Sequence, residues 1–187
     1  IAHWAMDLEY DGPVSVAALA EFPAPGSGIW DVHGNFHVRM NYANGVSMYV
    51  SDFYPNGVKF IGEEGWIWVT RGRYKAGEPA EGTRVEALDA HDPRMLREGT
   101  KPNELHLHAS PQQDHHLDWL ESLRTRKAPI TNAEVGHRSC SACLIAHIGM
   151  RLKRELKWDA KAERFVNDDE ANRLLRREQR GHYGSLH

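Results

Sequence analysis

The 187-residue chain carries 23 Lys and Arg against 26 Asp and Glu, a formal net charge of -3, and 41% of its residues are hydrophobic. This is the composition of an ordinary soluble globular domain, and no window approaches the ~18 consecutive apolar residues of a membrane span. Two cysteines cannot staple a small secreted fold, and without a long basic run nucleic acid is not an expected partner.

The chain opens at Ile1, and Ile1, Trp4, Ala5 and Leu8 recur at helical spacing with no Ser, Thr, Asp or Asn ahead of them to cap a first turn. The expectation is that residues 1–8 are the end of a helix entered partway, continuing from an upstream segment. Any targeting signal would then lie upstream as well, and the cytoplasm is the expected compartment.

Period-two patterning follows, with 9–109 expected to be mostly sheet and loops. Val14 to Ala20 is a weak strand candidate. From Trp30 the even positions Trp30, Val32, Phe36, Val38, Met40 and Tyr42 are apolar, broken only by Gly34, while Asp31, His33, Asn35, His37, Arg39 and Asn41 are polar. That alternation predicts a half-buried strand. Asn44-Gly45 supplies a tight hairpin into Val46, Met48 and Val50. Pro55-Asn56-Gly57 predicts a turn, Val58 to Ile61 a strand, Gly62 to Gly65 a second turn and Trp66 to Thr70 a further strand, with Arg84 to Leu88 weaker. Turns this short join antiparallel neighbours, so a meander is expected and not the parallel crossovers of a nucleotide-binding sheet.

Residues 110–187 are expected to be mostly helical. Ser110-Pro111-Gln112-Gln113 has an N-cap, a first-turn proline and a capping-box glutamine ahead of Leu117, Leu120 and Leu123. Thr131-Asn132-Ala133-Glu134 repeats the box before a run in which, from Ala142 to Met150, only His147 is strongly polar, predicting the core helix. Leu156 to Trp158 suggests a short edge strand, and Asn167 to Glu170 opens a third helix. Sheet first and helices later predicts an α+β fold: an open, mainly antiparallel sheet of about six strands with helices packed on one face.

Candidate chemistry is sparse. There is no G-x-S-x-G, P-loop or G-x-G-x-x-G sequence. Among 12 histidines, His106 and His108, His115 and His116, and the series His137, Cys140, Cys143, His147 invite a metal reading. A tetrahedral site draws ligands from at least two elements, so no metal is expected and the two thiols are expected to be buried. His33, His37 and Arg39 in the polar stripe, and His137 and Arg138 near a helix start, are the substrate-binding candidates. Fixed histidine, amide and guanidinium donors suit a polyol's hydroxyls or a partner subunit. The last 37 residues hold 10 Lys or Arg against 7 Asp or Glu, an imbalance suited to helix C-termini and a tail wrapping a neighbour.

Several motifs in order, Asp118-Trp119-Leu120-Glu121-Ser122-Leu123-Arg124-Thr125-Arg126-Lys127-Ala128-Pro129-Ile130, Glu134-Val135-Gly136-His137-Arg138-Ser139, and Arg151-Leu152-Lys153-Arg154 through Lys157-Trp158-Asp159, resemble the C-terminal half of the Gfo/Idh/MocA oxidoreductases. Gly62-Glu63-Glu64-Gly65-Trp66, the segment Phe165 to Leu174, and the opening Ile1-Ala2-His3-Trp4 are similar to a bacterial subgroup of that family. The resemblance implies a single C-terminal substrate-binding and oligomerisation domain over 1–187, preceded in the parent by a Rossmann domain that binds NAD or NADP.

In the family, a Lys of the Rossmann-side motif and an Asp and a His just before the present Ile1 handle the proton. The resemblance therefore implies no catalytic or cofactor-binding residue in this chain, and His3 gains no role from its position. It implies a wall of the substrate cleft and a homo-oligomer interface on the open sheet face, with a small sugar or polyol as substrate. His137 and Arg138 match a recurrent family motif. The parent is expected to be an NAD(P)-dependent sugar or polyol oxidoreductase and this chain alone inactive. The alternatives are a non-catalytic assembly or carbohydrate-binding module and, more weakly, a histidine-rich metal-dependent hydrolase.

Overall fold

A computed structural model describes residues 1–70, 87–96, 114–177 and 181. The fold is α+β, and the described residues form eight strands in two antiparallel sheets, one of five strands and one of three, and four α-helices. The chain divides into two compact units, Ile1–Leu8 with Tyr54–Ala133, and Glu9–Phe53 with Glu134–His187.

The second unit holds the larger sheet. Its strands are β1 (Ser15–Ala20), β2 (Phe36–Asn41), β3 (Ser47–Ser51), β7 (Leu156–Asp159) and β8 (Arg164–Phe165), in the spatial order β3-β2-β1-β7-β8. The weakly predicted β1 is the central strand. It pairs with β2 from Ser15↔Asn41 to Ala20↔Phe36 and with β7 at Val16↔Leu156. The segment expected at an edge is thus interior, and β8 lies outside it.

One face of this sheet carries Val16, Ala18, Val38, Met40, Leu156, Trp158 and Phe165, all buried. Helix α3 (Ala133–Leu152) covers it, burying Ala142, Ile145, Ala146 and Gly149 at i, i+3, i+4 and i+7, the stripe that a helix presents to one surface. Gly149 is where the two layers meet, because a Cβ built there would stand 3.3 Å from Ala18 Cβ and 3.5 Å from Val16 Cγ2. The same stripe turns Cys140 and Cys143 outward, and both thiols are exposed, against expectation. Past α3, Asp168 caps α4 (Asp169–Arg173) by accepting from the Ala171 N–H, and Arg154 pairs with both Asp168 and Glu170.

The predicted strand from Trp30 begins only at Phe36. A strand needs a ladder partner. β1 stops at Ala20, opposite Phe36, and the ends are closed by Glu21 N–H to Asn35 O at 3.0 Å and Gly34 N–H to Glu21 O at 2.8 Å. The intervening residues form a long loop on which Ile29 is 98% and Trp30 79% exposed. The sequence Pro23-Ala24-Pro25-Gly26 leaves little capacity for a ladder there.

In the first unit, β4 (Val58–Ile61), β5 (Trp66–Val69) and β6 (Leu88–Ala90) form the smaller sheet, in that order. Gly57 fits beneath the Trp68 ring, which a Cβ would reach at 2.3 Å. The opening helix α1 spans only Ala2–Ala5, shorter than expected, and has no side-chain cap. Helix α2 (His115–Thr125) is capped by Asp114, which accepts from the His116 and Leu117 N–H groups; the predicted capping residues Ser110 to Gln113 lie outside the described ones. None of its residues is buried among those described, Leu117, Leu120 and Leu123 included. No helix of the described residues is long and apolar enough to cross a membrane.

The two helical glycines of α3 should respond with opposite signs. Gly149→Leu should cost about 1–3 kcal/mol by overpacking against β1. At Gly136, where a Cβ meets nothing within 4 Å, alanine should gain up to about 1 kcal/mol from helix propensity. Urea unfolding of the two variants against wild type reads both.

Candidate functional site

The five candidates fall into three places in the second unit. His37 and Arg39 lie on β2 and point away from α3, with Ser15, Ala17, Leu19, Asn41, Ser47, Tyr49 and Ser51 as their same-face neighbours by register. Across this face Asn41 Nδ2 donates to Ser15 Oγ and Ser47 Oγ donates to Asn41 Oδ1, each at 2.9 Å. The His37 and Tyr49 rings lie 6.1 Å apart. Arg39 reaches Glu155 at 3.9 Å, while its Nε is buried with no acceptor among the described residues. Leu19 is 63% and Tyr49 52% exposed, so the face mixes apolar patches with fixed donors and is less uniformly polar than the stripe predicted.

His33 does not belong to that stripe. It lies in the loop between β1 and β2, on the side that α3 covers, with its ring 5.0 Å from Phe36, 6.1 Å from Phe22 and 6.0 Å from His147. The alternation fails here for the reason given above: without a ladder, odd and even residues have no fixed faces.

His137 and Arg138, in the first turns of α3, clasp the β7–β8 hairpin. His137 Nε2 contacts Glu163 Oε1 at 2.5 Å, and Arg138 donates to the Ala160 carbonyl at 2.6 Å and to Glu134 at 2.7 Å. Arg138 also stands 3.4 Å from Glu163. These partners account for both side chains as anchors of a hairpin. The contact with His137, with Arg138 nearby, holds the Glu163 carboxyl below its usual value.

Sequence reasoning missed the association of His33 with His147 and Phe22, which needs the loop closure and the seating of α3 together. The only advance signal was His147 as a lone polar residue in an apolar run. Among the described residues no group of three or more His, Cys, Asp or Glu is placed to hold a metal ion. His106 and His108 lie outside the described residues, and His115 and His116 are exposed at the start of α2.

Residues 99–185 match the family model described as the oxidoreductase family, C-terminal alpha/beta domain, of the Gfo/Idh/MocA group. Among solved structures the chain is similar to the crystal structure of aldose-aldose oxidoreductase from Caulobacter crescentus complexed with glycerol. The identity is 20% and the TM-score 0.52, over 82% of this chain and 43% of that one. This chain therefore spans less than half of that structure's length, and at this identity the likeness is one of fold. No curated protein matches the chain.

Acid should weaken the anchors of the C-terminal half. Contact with Arg154 and the Ala171 N–H lowers Asp168 from 3.8 to about 2. A depressed folded value means the contribution is complete above the unfolded value and is lost as pH falls through the folded one. The unfolding midpoints of wild type and Asp168→Asn should differ at pH 7 and converge as pH falls from 3.8 to about 2. Glu163→Gln should converge with wild type on acidification in the same sense.

Proposed function

We propose, from the match of residues 99–185 to the C-terminal domain model of the Gfo/Idh/MocA oxidoreductases, that this chain is the substrate-side domain of an NAD(P)-dependent sugar or polyol oxidoreductase. The observation that carries the reading is the family match itself. It spans α2, α3, the β7–β8 hairpin and α4, and the last three of these complete and cover the five-stranded sheet. The fold likeness to an aldose-aldose oxidoreductase supports it.

The Rossmann dinucleotide fold is built from parallel strands joined by helical crossovers, with a helix N-terminus at the pyrophosphate. Each described strand pair is antiparallel, so the described residues do not form a Rossmann domain. In this reading the cofactor, and with it the hydride step, belongs to an upstream domain. This chain would supply the wall of the substrate cleft. The face with Leu19, His37, Arg39 and Tyr49 would be the oligomer interface, where apolar centres and fixed donors occur together as interfaces require.

Calorimetry of this chain with NAD and with NADP should give no saturable heat. A measurable Kd for either would overturn the division of labour. In the parent protein, Leu19→Asp with Tyr49→Asp should lower the oligomer mass by sedimentation, and an unchanged mass would remove the interface from this face.

A further inference from the structure

We propose that Arg151, His147 and His33 form a binding site for an oxyanion, a carboxylate or a phosphate group, on the α3 side of the five-stranded sheet. The site is independent of the redox reading above.

Its frame is aromatic. Phe22 follows the end of β1, Phe36 begins β2, and the loop between them brings His33 back against both rings. The His147 ring of α3 stands 6.1 Å from Phe22 and 6.0 Å from His33. One turn along α3, the Arg151 guanidinium lies over the Phe22 ring at 5.6 Å. A cation over a ring face is held without using its N–H groups as donors to the ring, so the Arg151 guanidinium keeps them for a planar oxyanion.

The tautomer of His33 is also fixed. Its Nδ1 lies 3.1 Å from the Gly34 carbonyl, so Nδ1 carries the proton. Nε2 is left to accept when the ring is neutral and to donate once it is protonated.

The charges are unbalanced in one direction. In the same unit Arg39 has Glu155, Arg138 has Glu134 and Glu163, and Arg154 has Asp168 and Glu170. Arg151 and Arg177, like Arg164, Arg173 and Arg176, have no carboxylate partner among the described residues, and Arg151 is the one seated on the aromatic frame. Among the described residues, the charged groups acting on His147 are Arg151 on its own helix, His33 from the loop and Arg177 from the C-terminal segment, all of one sign. Burial first, and these charges after it, hold its imidazole below the ordinary value. A metal cation would meet the same repulsion, whereas an oxyanion would relieve it and draw a proton onto His147.

The test is an NMR titration of the histidine ring protons in the 187-residue chain, with the His147 resonance identified by its loss in His147→Asn. It is run in chloride, then with inorganic phosphate or acetate at the same ionic strength. Phosphate, acetate or both should raise the His147 midpoint by about one pH unit over chloride, and the rise should vanish in Arg151→Gln, an exposed position that leaves the core intact. A response to phosphate alone assigns a phosphate ester as the ligand class, and a response to both assigns oxyanions generally. Equal midpoints in all three salts, or the same rise in Arg151→Gln, would overturn the site.

Discussion

The contact between Gly149 and β1 sets the geometry of the larger unit. A helix resting on a sheet normally stands off by the length of its side chains, and here that spacing is reduced where a glycine faces Val16 and Ala18. Small residues on both layers let α3 settle with Ala142, Ile145 and Ala146 buried along one stripe. The seating of α3 fixes its rotation, and its rotation decides which side chains face outward. Cys140 and Cys143 point to solvent for this reason, and His147 lands beside the loop that closes β1 onto β2.

The second constraint is the pairing of β7 with β1, which joins segments about 140 residues apart in sequence. Neither end of the β7–β8 hairpin is left to that ladder alone. Arg138 and His137 hold its turn from the start of α3, and Arg154 holds α4 through Asp168 and Glu170. Asn172 closes the same region, with Nδ2 donating to the Phe165 carbonyl and Oδ1 accepting from the Phe165 N–H. Phe165, fully buried, is thereby fixed by hydrogen bonds on its own backbone as well as by its ring against Trp158 at 4.9 Å. His137 and Arg138 thus have a structural occupation that their place in a recurring motif did not reveal.

Local patterning in the sequence was informative wherever a residue's neighbours decide its state. The alternation at Val38, Met40 and Tyr42, the Asn44-Gly45 turn, the start of α3 at Ala133 and the start of α4 after Asp168 are all of this kind. What could not be read locally was pairing. A six-strand meander is the simplest continuation of short turns, but β3 is followed by strands of a separate sheet, and the partner on the other side of β1 comes from the far end of the chain. Trp30 and Val32 continued the alternation in letters alone, because period two has structural meaning only where a neighbouring strand enforces it.

That same failure of pairing separates the two faces chemically. Had the strand continued back to Trp30, His33 would have stood in line with His37 and Arg39 on the open face, and the candidates would have formed one polar stripe. Because the ladder ends at Phe36, His33 crosses to the side of α3, where its neighbours are phenyl rings, a second imidazole and a guanidinium with no carboxylate partner among the described residues. His37 and Arg39 remain with amides, hydroxyls, Leu19 and Tyr49, groups suited to matching another surface. One face therefore spreads amide, hydroxyl and imidazole donors and the Arg39–Glu155 pair over a broad area, and the other gathers the Arg151 guanidinium and two imidazoles around one aromatic frame. Surfaces built so differently are suited to different ligands, even though the residues that define them, His33 and His37, stand four apart in the sequence.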